Sequence, residues 1–376
     1  MKPLNQTPKR NKSIFGKRTV NHFIITLLLC ITAIISSCSE DDDSSLPARH
    51  YTTVENLLSE INFQGYAIVT KNGNDLVRRG FGLANESTAL AQDINLAYRI
   101  GSVTKTLTAA AIVQLKRDGL ISSFDQTLAE FDSEFPQGDQ ITLAQLLSHQ
   151  SGIPDYQFLV EEAYEQGENL DEEDIYEVIT EMISGNGLNF TPGSNKQYSN
   201  SNFLIAALLV QELSQTNYHE YIQQKIFTPL GMMDTYKGAN VIDSNTHAEG
   251  YKNGSANSTY PMPIAFGVGD FSSTPIDMEI WTNAVKTDWF TETEKSEIFA
   301  HNVPSGYVDF GLGWFTTQEG NTTMHWHGGD INGYWSMIGF IPGYDATIVL
   351  LSNTQDDTGT QRNTIIEELL TNEFKQ

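Results

Sequence analysis

Ser102-Val103-Thr104-Lys105 sets a hydroxyl and an amine three residues apart. On a helix those positions share a face, so the amine can reach the hydroxyl. A helix N-terminus there would lower the lysine pKa and stabilise a developing oxyanion. A desolvated, neutral lysine can then take the serine proton and make a nucleophile. The spacing alone is equally that of an ordinary serine-started helix. It is, however, the one Ser-x-x-Lys in the chain.

Two more constellations could join it. Tyr198-Ser199-Asn200 follows the turn-forming Thr191-Pro192-Gly193 and precedes an apolar stretch. A tyrosine so placed can relay a proton, and an asparagine can bind a substrate amide. Tyr251-Lys252-Asn253 repeats the spacing without that turn or apolar stretch and reads as a surface loop. His327-Gly328-Gly329-Asp330 closes a strand-like run; its glycines let a substrate backbone approach the strand edge, and the Asp330 amide can serve an oxyanion. The same four residues also suit a plain strand terminus and turn. His325 and His327 fall on one strand face as a metal pair would, but no third ligand is near in sequence and no HExxH occurs, so neither metal nor cofactor is expected.

The elements that must hold these residues are readable in outline. Val54, Leu57, Leu58 and Ile61 recur at helical spacing. Residues 66–70 and 75–81 are strand-like and flank Asn72-Gly73, a hairpin signal. A buried, alanine-rich helix runs over 107–115 and begins near Ser102. Helical patterns recur at 142–150 and 201–214, with an acid-rich segment over 161–174 that suits a solvated helical face or lid. Residues 322–326, 334–341 and 346–352 read as strands, and the last fifteen as a closing helix. The expected fold class is α+β: an antiparallel sheet built from both chain ends and flanked by helices, with an inserted all-helical region. The domain spans 51–376, its α/β part about 51–115 and 265–376, its helical part about 116–264.

Composition sets the outer limits. The 376 residues hold 22 Lys+Arg against 47 Asp+Glu, a formal net charge of −25. Lys2, Lys9, Arg10, Lys12, Lys17 and Arg18 all precede residue 37, which no acid does, so the remainder is more acidic still. Such a surface repels phosphate backbones, and no nucleic-acid partner is expected. The basic start, the apolar run over 23–35 and the small residues before Cys38 read as a signal peptide over 1–37, too short an apolar run to span a bilayer comfortably. Ile35-Ser36-Ser37-Cys38 resembles a bacterial lipobox, which implies a lipid on Cys38 and export to an outer membrane, on the cell surface or its periplasmic face. Ser39-Glu40-Asp41-Asp42-Asp43 is similar to the acidic tag of surface lipoproteins, and 38–50 forms an acidic tether. With Cys30 removed and Cys38 lipidated, the mature domain carries no disulfide.

Taken together and in this order, the three constellations resemble the serine β-lactamase and penicillin-binding protein family, more closely its class C, D-alanyl-D-alanine carboxypeptidase and esterase branch. Leu146-Leu147-Ser148-His149-Gln150-Ser151-Gly152, Pro229-Leu230-Gly231-Met232, residues 307–314 and residues 350–353 are similar to further stretches of that family. The resemblance implies a β-lactamase/transpeptidase-like fold, with Ser102 acylated, Lys105 its base and Tyr198 a proton relay. It also implies substrate contacts from Asn200, His327, Gly329 and Asp330, an oxyanion hole from the Ser102 and Asp330 amides, and a structural His149. Where a penicillin-destroying member carries Lys-Thr-Gly, this chain has His327-Gly328-Gly329, which ranks carboxypeptidase-like or esterase-like action above β-lactamase action. Phe266-Gly267-Val268-Gly269-Asp270 stands where relatives often show a Gly-Gly turn. The substrate class implied is a small molecule or peptide, cell-wall-derived peptides included. The alternative is a non-catalytic, ligand- or cell-wall-binding lipoprotein that keeps the fold, separable by the reactivity of Ser102.

Overall fold

Val69 of strand β1 (Gly65–Lys71) lies opposite Ile348 of the strand Ala346–Ser352, so the two ends of the domain meet at the centre of one sheet. The computed structural model describes residues 53–300 and 308–375. The expected signal peptide, lipidated Cys38 and acidic tether over 38–50 lie outside the described residues, as does Tyr307. The sheet continues with β2 (Asn74–Phe81), β3 (Val308–Phe310), β4 (Phe315–Glu319), β5 (Thr322–Ile331), β6 (Tyr334–Ile341) and β7 (Ala346–Ser352). Its order is β3-β4-β5-β6-β7-β1-β2, and every neighbouring pair is antiparallel. Asn72 and Gly73 both take positive φ, 51° and 74°, as a two-residue hairpin turn of the matching twist requires.

Side chains alternate across the pleat, and both faces are covered. Ile68, Ile338, Val349 and Leu351 join the core shared with the helical region; Val69, Met337, Ile348 and Leu350 face the other way, onto the terminal helices. Helices bearing on the site or its support are α1 (Val54–Glu60), α2 (Thr104–Arg117), α3 (Gln157–Glu165), α4 (Asn200–Ser214), α5 (Pro275–Lys286) and α6 (Thr360–Glu368). Leu57 and Leu58 of α1 and Ile365 and Ile366 of α6 pack together against the outer face. Each such fully buried aliphatic side chain contributes roughly 1.5–3 kcal/mol. Helix α2 is buried on nearly all sides and ends with Lys116 and Arg117 in its last turn, where cations suit the dipole.

Three details differ from the sequence reading. Strands β3 and β4 were not visible because β3 is only three residues long, β4 is mostly polar, and Gly311 and Gly313 interrupt the stretch between them. Strand β5 continues past Trp326 to Ile331, so His327 to Asp330 lie within the strand instead of closing it. The inserted region is mostly helical but holds the short strands Tyr236–Lys237, Tyr251–Lys252 and Ser255–Ala256. Tyr251 is consequently buried in a small hairpin rather than sitting on a surface loop. The acid-rich segment divides between the end of α3 and the helix Glu172–Asn186. Asp171 caps that helix, and Glu172, Glu173 and Asp174 occupy its first turn, where negative charge is stabilised.

Candidate active site

Ser102 sits in a 3-10 turn (Gly101–Val103) that feeds directly into α2, and it remains partly accessible while its neighbours are buried. Gly101 holds φ +49°, and a Cβ there would lie 2.9 Å from the Asp330 amide nitrogen. A Cβ on Gly329 would fall 2.0 Å from the Ile100 carbonyl oxygen and 2.9 Å from the Ser102 nitrogen. These two glycines therefore let the serine turn and strand β5 touch backbone to backbone. Ser336 Oγ, on the next strand, donates to the Ile100 carbonyl at 2.6 Å and pins the turn. The amides of Ser102 and Asp330 are thus brought into one small region, as an oxyanion hole needs.

Lys105 is fully buried, and its Nζ has three neighbours: Ser102 Oγ at 3.0 Å, Asn200 Oδ1 at 2.8 Å and the Val268 carbonyl at 2.9 Å. Two of the three can only accept. A neutral amine has two N–H groups for them and one lone pair left, matching the serine hydroxyl as donor. The orientation of Asn200 is fixed: its Nδ2 donates to Asp155 Oδ2 at 3.0 Å and Gln157 Oε1 at 2.7 Å, which leaves Oδ1 for the lysine. Asp155 Oδ2 also accepts from the Asn200 amide at 2.9 Å, so one carboxylate serves both the side chain and the start of α4. Burial pushes the Lys105 amine down to about 7, against the weaker opposing pull of Asp155 and Asp270.

Tyr198 faces the same lobe as Ser102, close enough for the hydroxyl to influence its phenol, and its ring lies 5.0 Å from Lys105 Nζ. Desolvation raises its phenol above the ordinary value, with the Ser102 hydroxyl pulling the other way, so it is a phenol and not a phenolate at neutral pH. His149 stacks on it at 4.3 Å between ring centroids. The His149 Nδ1 accepts from the Ser199 amide at 3.1 Å and lies 3.2 Å from Asn202 Nδ2, so this ring braces the Tyr198 turn. The resemblance-derived structural role for His149 matches this placement.

A model of the Beta-lactamase family matches residues 52–371. The chain belongs to the β-lactamase family. PbpX of Bacillus subtilis (strain 168), which carries a penicillin-binding protein name, is 27% identical over 85% of this chain and 78% of its own. Among solved structures, a penicillin-binding protein from Bacillus halodurans superposes with a TM-score of 0.72 at 22% identity, covering 85% of this chain and 100% of its own. D-amino acid amidase from Ochrobactrum anthropi SV3 gives 0.71 at 22% identity, over 85% of this chain and 99% of its own. The chain is a serine hydrolase of the β-lactamase-related family with its β-lactamase/transpeptidase-like fold.

Against that family background the strand wall has its own character. His327 is fully buried, stacks on Phe315 at 4.4 Å, and its Nδ1 donates to the Gly328 carbonyl at 2.7 Å. Nε2 is then the unprotonated nitrogen, and it has no protein partner among the described residues. Burial, and next the charge of Lys105, push its pKa to about 3, so it carries no charge at neutral pH. The cation on this wall is one the sequence did not suggest. Arg362 of α6 reaches over Gly328 and donates from Nη1 to Asp330 Oδ2 at 2.9 Å. Nothing in its local spacing marks it, because its partners are assembled by the fold.

The cleft has two lobes that meet at Ser102, Gln157, Asn200 and Asp330. The strand-side lobe, about 360 Å³, adds Tyr198, Phe315, Trp326, His327, Gly328 and Arg362. The helical-side lobe, about 310 Å³, adds Glu161, Lys252, Tyr260, Ile264 and Val268 among others. Of the residues expected to touch substrate, Asn200, His327 and Asp330 line the cleft, whereas Gly329 lies at the contact between strand and serine turn. Among the described residues, no strand pairs the outer edge of β5 beyond Trp326, since β4 ends opposite that residue at Phe315. An extended substrate backbone can pair there. His325 is engaged elsewhere, with Thr316 Oγ1 at 2.9 Å and stacked on Phe299 at 4.1 Å. Among the described residues no three His, Cys, Asp or Glu side chains gather as metal ligands, and no helix is long and apolar enough to cross a membrane.

Proposed function

We propose that this serine hydrolase cleaves an amide or ester through an acyl-enzyme on Ser102, in a carboxypeptidase-like or esterase-like manner. The observation that carries the reading is the surround of Lys105: a buried amine near 7, with two fixed acceptors and one hydroxyl. Neutral Lys105 takes the Ser102 proton as Oγ attacks the substrate carbonyl. The carbonyl oxygen becomes an oxyanion, held by the Ser102 and Asp330 amides. As the tetrahedral adduct collapses, the bond to the leaving group breaks, and the proton passes from Lys105 through the Tyr198 phenol to the departing nitrogen or oxygen. Deacylation repeats the sequence with water as nucleophile, returning the proton to Ser102.

Tyr198 lines only the strand-side lobe, so the leaving group that it protonates sits there. The positive charge available to a leaving-group carboxylate is Arg362, because His327 is neutral. This supports a substrate ending in a free carboxylate, such as a short peptide, and gives β-lactamase action no special provision. Names among the relatives, penicillin-binding protein and D-amino acid amidase, fit an amide-cleaving reading. The sequence features around Cys38 support an exported, lipid-anchored protein acting on cell-wall-derived or other small substrates at an outer membrane.

Intact-protein mass spectrometry with a fluorophosphonate, and separately with a penicillin, tests the reading. The expected result is a fluorophosphonate adduct on Ser102 that Ser102→Ala abolishes together with turnover, while the variant melts like the wild type. Wild-type turnover by Ser102→Ala would falsify the assignment. A lasting penicillin adduct favours the carboxypeptidase-like form, and its absence the esterase-like form.

A further inference from the structure

The two lobes differ in charge, and the difference bears on what the acyl half of the substrate looks like. With the leaving group assigned to the Tyr198 side, the acyl half occupies the helical-side lobe. The anion there is Glu161. Helix α3 places Gln157 and Glu161 one turn apart on the same face, so both reach the cleft. Gln157 Nε2 at 2.9 Å and Tyr260 Oη at 3.0 Å both donate to Glu161 Oε1. Oε2 has no protein partner among the described residues. The carboxylate is therefore fixed in direction by two donors and keeps one oxygen to offer.

The other charged groups in or beside this lobe are already engaged. Lys252 Nζ lies 3.3 Å from Asp357 Oδ1, Asp330 is paired with Arg362, and Asp155 is committed to Asn200 and the start of α4. Of the two carboxylates that line the cavity, Asp330 is paired with Arg362 and Glu161 has no cation beside it among the described residues, and the cavity is large enough for a side chain and its backbone. A charged group at such a place is best satisfied by a charge-assisted hydrogen bond from a cation.

We propose that Glu161 is a specificity-determining residue that selects an acyl donor bearing a primary ammonium group. The inference rests on the acyl-enzyme reading above. Combined with Arg362, it describes a dipolar substrate: an amine on the acyl half and a carboxylate on the leaving half. The ammonium has two chemical sources, an unblocked α-amino group or the side-chain amine of a basic residue.

Thioglycolate thioesters separate the possibilities, since their leaving group carries a carboxylate and thiol release reads kcat/KM directly. Three acyl halves of similar size serve: unblocked norleucyl, N-acetyl-lysyl and N-acetyl-norleucyl, each as both enantiomers. The expected result is that one amine-bearing thioester exceeds the neutral one by about tenfold or more, the scale of a single charged hydrogen bond. Which one does so identifies the source of the ammonium. Glu161→Gln, which can still accept from Tyr260, brings the ratio close to one. Glu161→Lys reverses it, favouring an N-acetyl-glutamyl acyl half, and that gain shows that the variant is folded. Equal rates for all three acyl halves, or a preference that survives Glu161→Gln, overturns the proposal. So does failure to hydrolyse any thioester by a protein that the fluorophosphonate labels on Ser102. Failure of that labelling instead overturns the acyl-enzyme reading itself.

Discussion

Each wall of the cleft buries one nitrogen base, and burial does different work on the two. On the helical wall, Lys105 falls from its ordinary value of 10.5 to about 7. On the strand wall, His327 falls from 6.5 to about 3. In both, desolvation disfavours the charged form. Because lysine starts high, the same kind of shift leaves it poised to gain or lose a proton near neutrality, the condition a general base needs. Histidine starts near neutrality and is carried out of the working range. In the proposed mechanism the helical wall therefore performs proton transfer, while the strand wall supplies a fixed acceptor and leaves positive charge to Arg362.

Removing the poised base has the largest expected effect. Lys105→Ala should lower the rate of Ser102 acylation by roughly 10²–10⁴, the usual contribution of general-base catalysis. Stopped-flow labelling with a fluorogenic ester measures it, and a loss of less than about threefold would remove Lys105 from the mechanism. Next comes the seam between the walls. Gly329→Ala places a methyl 2.0 Å from the Ile100 carbonyl oxygen, with rigid backbone on both sides. Overpacking of this kind costs about 1–3 kcal/mol. The variant should melt several degrees lower and acylate more slowly; an unchanged melting temperature and rate would mean that the seam is looser than described.

Arg362→Gln is expected to act more narrowly. The ratio of kcat/KM between a substrate with a carboxylate-bearing leaving group and its methyl ester should fall by about tenfold, as for loss of one charged hydrogen bond. A ratio that stays put would hand carboxylate recognition to another group and undo the contrast between the walls.

The same contrast explains what could be read in the sequence. Ser102 with Lys105, Tyr198 with Asn200 and His327 with Asp330 are short-range patterns, each held within one turn or strand, so the sequence displayed them, and their order and the family resemblance set them apart from ordinary caps and turns. That both chain ends contribute to one sheet was also legible from the strand-like apolar runs at each end, whereas the pairing of β1 with β7 was not. The groups that tune and select were not. Val268 acts through a backbone carbonyl, which any residue type provides. Asp155, Gln157, Glu161 and Arg362 are ordinary polar residues on helix starts and faces, and only the fold brings them to Ser102. His327 was identified, but its charge state was not, since that depends on burial beneath Phe315 and beside Lys105.

The central claim is that a neutral Lys105 activates Ser102, and the pH dependence of acylation tests it most directly. Single-turnover acylation by a neutral fluorogenic ester, followed from pH 5 to 10, should rise as the ammonium loses its proton. Below the lysine pKa the base is protonated and slow; above it the rate levels off. The account predicts one inflection near 7 and none attributable to His327, so His327→Asn leaves the midpoint in place. A midpoint close to the ordinary lysine value of 10.5, or a profile flat across neutrality, would contradict it.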